Sequence, residues 1–375
     1  MTQIYTVIGL MSGTSLDGVD AAILRTDGET FVDTDQSFFR PYSDYERRFL
    51  TEIMRDALAW GFDGPAPNGF ARAERLIDGA HKEAVFALLA QQDLVSADID
   101  LIGYHGQTVL HRAAAPHKKG QTLQIGNGQV LAKATGIDVV YDFRSADVAA
   151  GGQGAPLAPV YHEALMRSFD LSKAAIINIG GVSNLTLKTG AGLIASDCGP
   201  GNGPLDSWIA KHGLGEYDEG GKISLSGTPD IACLQGWIKR EFFTRALPKS
   251  ADRYDFDVLP SMYGLNAENG AASLAMFTAL GILDTLNKCQ ADVDTLIICG
   301  GGRHNKAILA GLSEVTAAKV LTSDDMGWDG DGLEAHAFAY LAVRHIKNLP
   351  LSFPGTTGVN KPMTGAVLAK ANYSS

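Results

Sequence analysis

Near the start of the chain, Gly13, Thr14, Ser15, Leu16, Asp17, Gly18, Val19 and Asp20 lie between two apolar runs. Small residues, two hydroxyls and two carboxylates at this spacing suit a phosphate chain. Glycine lets backbone N–H groups face an anion, and the Thr14 and Ser15 hydroxyls can donate to the same oxygens. The stretch holds no lysine, and Asp17 and Asp20 would repel a bare phosphate, so this chemistry calls for a divalent cation between them. An ordinary glycine-bearing hairpin is the alternative. Farther on, Asp197 stands where an apolar stretch meets the turn Cys198-Gly199-Pro200-Gly201-Asn202. A carboxylate there points away from the strand end, or else serves the turn as a cap. Asp206, at the start of the helix that contains Trp208, reads as a capping or helix-dipole carboxylate.

Other polar groups follow buried stretches, the usual place for site chemistry in α/β proteins. Gln107 and Thr108 come after the apolar residues 101–104 and suit hydrogen bonding to a sugar-like ligand, while His105 reads as satisfied by a backbone carbonyl. Gly300, Gly301 and Gly302 follow an apolar strand and precede a helix over 306–312, where a flat ring or a phosphate can lie against backbone. Glu334, behind the acidic stretch 324–331, sits on the first turn of a helix, where it faces a ligand, holds a metal or caps. The acidic offsets are not those of a calcium loop, and His105 and His111 lack metal-ligand spacing, so no protein-only metal site is expected.

The elements that must position these groups repeat. Residues 4–10 and 19–25 predict a hairpin and 31–39 a third strand. Ser43 and Glu46 form a capping box that opens a helix ending near Gly61. Further helices are expected over 70–91, after Asn127, and over 157–168. Residues 175–187 then restart the opening plan: strand, glycine turn at Gly180 and Gly181, return strand, and a third strand at 193–195. Two such turns facing each other would grip a phosphate chain from both sides. Residues 151–156 close over a ligand or link the halves. Residues 213–229 read as a mobile glycine-rich stretch, 231–243 as one helix, and 266–287 as a long apolar helix. The expected domains are 1–155 and 156–375, with the tail after 350 packing back on the first.

Composition bounds the reading. A chain of 375 residues with 45% hydrophobic content is long enough for two ordinary domains. A net charge of −11 argues against nucleic acid as a partner. The four cysteines (Cys198, Cys233, Cys289 and Cys299) form no CxxC and fit a reducing cytoplasm. Neither a signal peptide nor a run of membrane-spanning length is expected.

MSGTSLDGVD at 11–20, HGQT at 105–108, GGQGAP at 151–156, NIGG at 178–181, DCGPGN at 197–202 and CGGG at 299–302 occur in that order. Together they resemble the 1,6-anhydro-N-acetylmuramic acid kinases of bacterial cell-wall recycling. The resemblance implies an α/β fold of duplicated actin-like ATPase (ribonuclease H-like) domains with a central nucleotide cleft. It implies ATP and Mg²⁺ as cofactors, a small amino-sugar substrate, a cytoplasmic homodimer, and no membrane or nucleic-acid partner. By residue, it implies a phosphate loop over Gly13 to Asp20, Asp197 as the catalytic base, and Thr108 and Glu334 near the sugar. Cys198, Ser183 and the pair Arg303-His304 depart from the family pattern. Another sugar kinase of the same fold, a sugar-sensing regulator and a chaperone-type ATPase are the alternatives. The last two lack the basic helix pair or the spare length that they would need.

Overall fold

The structure is a computed structural model that describes residues 3–112, 119–190, 192–251 and 253–371. The chain packs as two compact units, residues 1–170 with 331–375, and residues 171–330. The division therefore falls at 170/171 rather than at 155/156, and residues 331–350 belong with the first unit.

Short continuous apolar runs, buried on both faces, build β1 (Tyr5–Ser12) and β2 (Gly18–Thr26), and the more exposed β3 (Val32–Pro41) follows them. Helix α1 (Asp44–Trp60) starts at the expected capping box, with Ser43 and Glu46 each bonding the other's backbone, and ends at Gly61 in the left-handed region. Helix α2 (Phe70–Gln91) follows, then β4 (Leu101–Arg112), β5 (Gln121–Ile125), α3 (Gly128–Thr135), β6 (Val139–Tyr141), α4 (Ser145–Ala149) and α5 (Pro159–Ser168). Strand β4 runs through His105-Gly106-Gln107-Thr108 instead of ending before them. Gly106 takes a φ of +72°, and the register against β1 shifts there.

The second unit repeats the plan with β7 (Ala174–Ile179), β8 (Val182–Thr189) and β9 (Gly192–Pro200), then α6 (Gly203–Lys211). The stretch read as mobile is organised. Asp218 accepts from the N–H groups of Ile223 and Ser224 and from the Ser224 hydroxyl, at 2.9, 2.9 and 2.6 Å, and starts α7 (Lys222–Ser226). The single helix expected over 231–243 is two short ones, α8 (Ile231–Trp237) and α9 (Glu241–Thr244). Helix α10 (Ala267–Cys289), β10 (Thr295–Cys299), α11 (Lys306–Val315) and β11 (Lys319–Thr322) complete the unit. By length and composition α10 could cross a membrane, contrary to the sequence reading, but 67% of its most apolar window is buried inside the protein. The chain then returns to the first unit as α12 (Leu333–Ile346), α13 (Pro354–Thr357) and β12 (Val367–Ala369).

The repeat is exact in topology. The first sheet runs β3-β2-β1-β4-β6 with β12 at its end and β5 on β4; the second runs β9-β8-β7-β10-β11. In both, the first strand pairs antiparallel with the second and parallel with the fourth. The tail's β12 pairs with β6, as expected for a segment that packs back on the first unit. Separate apolar cores fill the units, one around Ile8, Leu10 and Ile102, others around Ile177 and Ile298 and around Trp208 and Phe277.

Candidate active site

In the first unit the loop after β1 divides by exposure. Thr14, Ser15 and Asp17 are exposed, whereas Leu16 and Val19 are only 5% and 0% exposed and pack in the core. The Leu16 N–H donates to the Gly13 carbonyl at 3.2 Å and closes the turn. Gly18 is required by packing: a Cβ there would come within 2.3 Å of the Arg40 carbonyl oxygen. Gly13 differs, because a Cβ on it would meet only the Ser15 hydroxyl, at 3.5 Å. Gly13, Thr14, Ser15 and Asp17 are thus the part of the loop open to a ligand. Asp17 lies 3.9 Å from the Arg47 guanidinium, and Asp20 is half-buried on β2 with interactions of its own.

Gln107 holds this loop. The Ser12 hydroxyl donates to Gln107 Oε1 at 2.6 Å, and Gln107 Nε2 donates to the carbonyls of Gly13 and Thr108, both at 3.2 Å. Tyr42 shares a 2.8 Å bond with Ser12. Gln107 is fully buried and all its polar groups are engaged, so it positions the loop and is not the free sugar contact expected of it. The half-buried Thr108 hydroxyl accepts from Gln124 at 3.2 Å and keeps its own proton to donate.

Helix α12 lies flush on this sheet. A Cβ on Gly9 would come within 1.7 Å of the Ala335 carbonyl oxygen, and one on Gly103 within 2.1 Å of that of Phe338. This approach carries exposed Glu334 at the helix start. His105 touches the Phe338 ring, centroids 4.6 Å apart, and accepts on Nε2 from Arg144 Nε and Nη2 at 3.1 and 3.0 Å. A guanidinium only donates, so His105 is neutral and its Nδ1–H faces the Gly106 carbonyl at 2.8 Å. Burial and the Arg144 charge hold the His105 pKa well below the usual value. Arg144 also donates to the Gly154 carbonyl at 2.7 Å. Burial brings its pKa down to about 10, with Glu334 and Asp147 pulling upward, so it stays cationic. The Arg144 guanidinium is close enough for its charge to act on the Glu334 carboxyl. Residues 151–156 are tied within this unit, since buried Asp147 accepts from the Gly154 N–H and the Thr357 hydroxyl, both at 2.7 Å.

In the second unit, three glycine turns distant in sequence meet. The N–H groups of Gly201 and Gly203 donate to the Gly181 carbonyl, both at 3.1 Å, and that of Asn202 to the Gly180 carbonyl at 2.7 Å. A Cβ on Gly302 would come within 2.3 Å of Ile179 Cγ2, and one on Gly300 within 2.3 Å of the Asn178 amide oxygen. Gly181 has nothing within 4 Å on its Cβ side, and Gly301 only the Asn202 amide nitrogen at 3.6 Å. These two glycines present bare backbone. The start of α11 is closed, because Asn305 caps it through the N–H groups of Ala307 and Ile308 and Gly221 packs against that cap. The surface left open suits a flat ring better than a phosphate at the helix end.

Asp197 lies inside β9, opposite Asn184, not at the strand's end. The segment after Pro248 runs beside it. The Asp197 N–H donates to the Lys249 carbonyl at 3.0 Å, and the Ala251 N–H donates to Asp197 Oδ2 at 2.7 Å. Burial raises the carboxyl to about 6, opposed by the Ala251 bond and the Lys249 charge. The Lys249 ammonium is buried, 4.1 Å from the Phe242 ring centroid and 3.7 Å from Asp284.

A family model described as anhydro-N-acetylmuramic acid kinase matches residues 5–370. A relative from Rhizobium rhizogenes of that name is 44% identical over 366 residues, covering 97% of this chain and 98% of the relative. One from Rhizorhabdus wittichii, of the same name, is 45% identical over 370 residues, covering 98% and 99%. The chain belongs to the anhydro-N-acetylmuramic acid kinase family. In fold it is also similar to component A of (R)-2-hydroxyglutaryl-CoA dehydratase from Acidaminococcus fermentans, with a TM-score of 0.50 over 91% of this chain and 98% of that one at 12% identity. The duplicated actin-like fold accords with the matching strand orders of the two sheets.

Among kinases of this family, the chain's departures have local explanations. Cys198 is fully buried in the apolar core, where burial keeps its thiol neutral, and the donor to Asp197 is a backbone N–H instead. The Ser183 hydroxyl donates to the Pro200 carbonyl at 2.9 Å and joins β8 to β9. Arg303 is buried against Asp324 at 3.2 Å. Sequence reasoning missed the His105–Arg144 pair and the Pro248-Lys249-Ser250-Ala251 segment. The latter lies in a mixed polar stretch, 241–253, whose residue types carry no distinguishing signal.

Proposed function

We propose that this chain is an ATP-dependent kinase that opens the 1,6-anhydro bridge of 1,6-anhydro-N-acetylmuramic acid and phosphorylates O6. The observation that carries the reading is Asp197: a half-buried carboxylate with one oxygen fixed by a backbone N–H, the other accepting no bond among the described residues, and a pKa raised to about 6. Such a base is ionised at neutral pH yet basic enough to take a proton. Water attacks C1 as its proton passes to Asp197, the C1–O6 bond breaks, and O6 takes the γ-phosphoryl group as the bond to the bridging oxygen of ADP breaks. The products are N-acetylmuramic acid 6-phosphate, ADP and a proton. Ordinary inverting hydrolysis needs a second carboxyl to protonate the leaving oxygen. Here phosphorus captures that oxygen, so one carboxylate suffices.

Gly13, Thr14 and Ser15 donate to the phosphates, and Gly180, Gly181 and Gly300 to Gly302 supply a backbone surface for the rest of the nucleotide. Leu16, Gly18 and Val19 shape the loop. Thr108 and Glu334 contact the sugar, with the Arg144 charge beside Glu334 favouring its carboxylate form. Among the described residues no cluster of three or more His, Cys, Asp or Glu could hold a metal ion. That fits Mg²⁺, which kinases bind through one or two carboxylates, waters and the phosphates themselves. Asp17 and Asp20 would hold it, and it would spread the charge of the transferring phosphoryl group. A cytoplasmic homodimer completes the reading; the four cysteines are all free, which supports a reducing compartment. Incubation with the anhydro sugar, ATP and Mg²⁺ in ¹⁸O-water tests it. Label at C1 and phosphate on O6 are expected. Unlabelled phosphosugar would indicate a plain sugar kinase, and no product a sensor.

A further inference from the structure

Helix α6 starts on the glycine surface of the second unit, through the bonds from Gly201, Asn202 and Gly203 to the β7–β8 turn. Asn202 and Asp206 are four residues apart and share a helix face. The Asn202 amide donates to the Ile179 carbonyl at 3.4 Å and borders Gly301. On the other side, the loop that carries Asp218 turns through Gly221, whose Cβ would come within 2.5 Å of Asn305 Oδ1, just past the three glycines. Asp206 is half-buried between these features, and among the described residues no N–H or O–H donates to its carboxylate. It therefore caps no N–H among them, although it stands in the first turn of α6, where the helix-dipole role is expected of it. Asp218 beside it is fully used by its three donors, and its charge and burial together raise Asp206 to about 7. A single carboxylate is too few for a protein-held cation. It is a ready acceptor for a vicinal diol, as carboxylates are for ribose in other nucleotide folds.

We propose that Asp206 recognises the ribose of the nucleotide by accepting hydrogen bonds from its 2′ and 3′ hydroxyls. This rests on the kinase reading above and deepens it. Steady-state kinetics with ATP, 2′-deoxyATP and 3′-deoxyATP on the wild-type protein, Asp206→Asn and Asp206→Ala test it. The wild type is expected to favour ATP over the deoxy analogues by roughly 10- to 100-fold in kcat/KM, the usual value of a hydrogen bond to a charged group. The variants are expected to raise KM for ATP to the level of the analogues, with the analogues and kcat little changed. Wild-type protein without that preference, or variants that lose ATP and the analogues equally, would overturn the inference alone. Wild-type protein that neither binds nor turns over ATP would overturn the kinase reading and the inference with it. The wild-type comparison needs no variant, so a folding defect cannot mask the result.

Discussion

The two hairpin turns occupy the same place in two copies of one sheet, yet they are built by opposite means. The turn after β1 is long and polar: Thr14, Ser15 and Asp17 are exposed, and the loop is held from behind by Ser12, Gln107 and Tyr42. The turn after β7 is two glycines, held by direct backbone contact with two other glycine segments. The first exposes polar side chains and the second bare backbone. The frame is the same in the two units, and each turn is shaped by different chemistry.

The third strands differ most, and the largest predicted effect lies there. Asp20 in the first unit pairs with Phe39, whereas Asn184 in the second pairs with Asp197. Asp197→Asn should cut turnover roughly 10²- to 10⁴-fold with ATP binding retained by calorimetry. Near-normal turnover would move the base elsewhere, first to Glu334. Next come the glycines. Gly201→Val forces a side chain into the Gly180 carbonyl, where a Cβ would already be 2.1 Å away, and should lower stability by about 1–3 kcal/mol in thermal melting. Gly13→Val has open space around it and should leave the melting temperature unchanged while weakening ATP binding roughly tenfold, 1.4 kcal/mol. Equal behaviour of the two variants would end the contrast between the turns.

Removing the support behind the first turn should have a smaller effect. Gln107→Ala takes one bond each from the Ser12 hydroxyl and the Gly13 carbonyl, leaving Ser12 its bond with Tyr42 and Gly13 that from the Leu16 N–H; it costs about 1–3 kcal/mol of stability and raises KM for ATP. The smallest effect is on pH. The active form of Asp197 is the carboxylate, whose fraction falls as pH drops through about 6, so kcat/KM should decline below that value and be half-maximal near it. Asp197→Asn should lose this limb. A profile with the limb near pH 4 would show that burial does not raise this group.

Some of this was legible because its causes are local. The Ser43–Glu46 box, the Asn127 cap of α3 and the end of α1 at Gly61 each depend on residues within one turn of one another. The strand–turn–strand plan was legible twice, because apolar runs flanking small residues recur. What failed depended on distant partners. Strand β9 continues through Asp197 because β8 and the Lys249 segment pair with it. Residues 213–229 fold around Asp218, and the helix expected over 231–243 breaks between α8 and α9.

The amino-acid sequence by itself determined the duplicated α/β frame and the family, and it named the candidate residues for the chemistry, since periodicity, caps and motif order are written along the chain. Only the tertiary structure decided which of those residues are free to act. It buried Gln107 and gave it the loop to hold, turned Cys198 into the core, closed the start of α11 and left Asp206 without a donor among the described residues. The reason is physical: a residue's type sets what it can donate or accept, but burial and the partners brought from elsewhere in the chain set what remains unused.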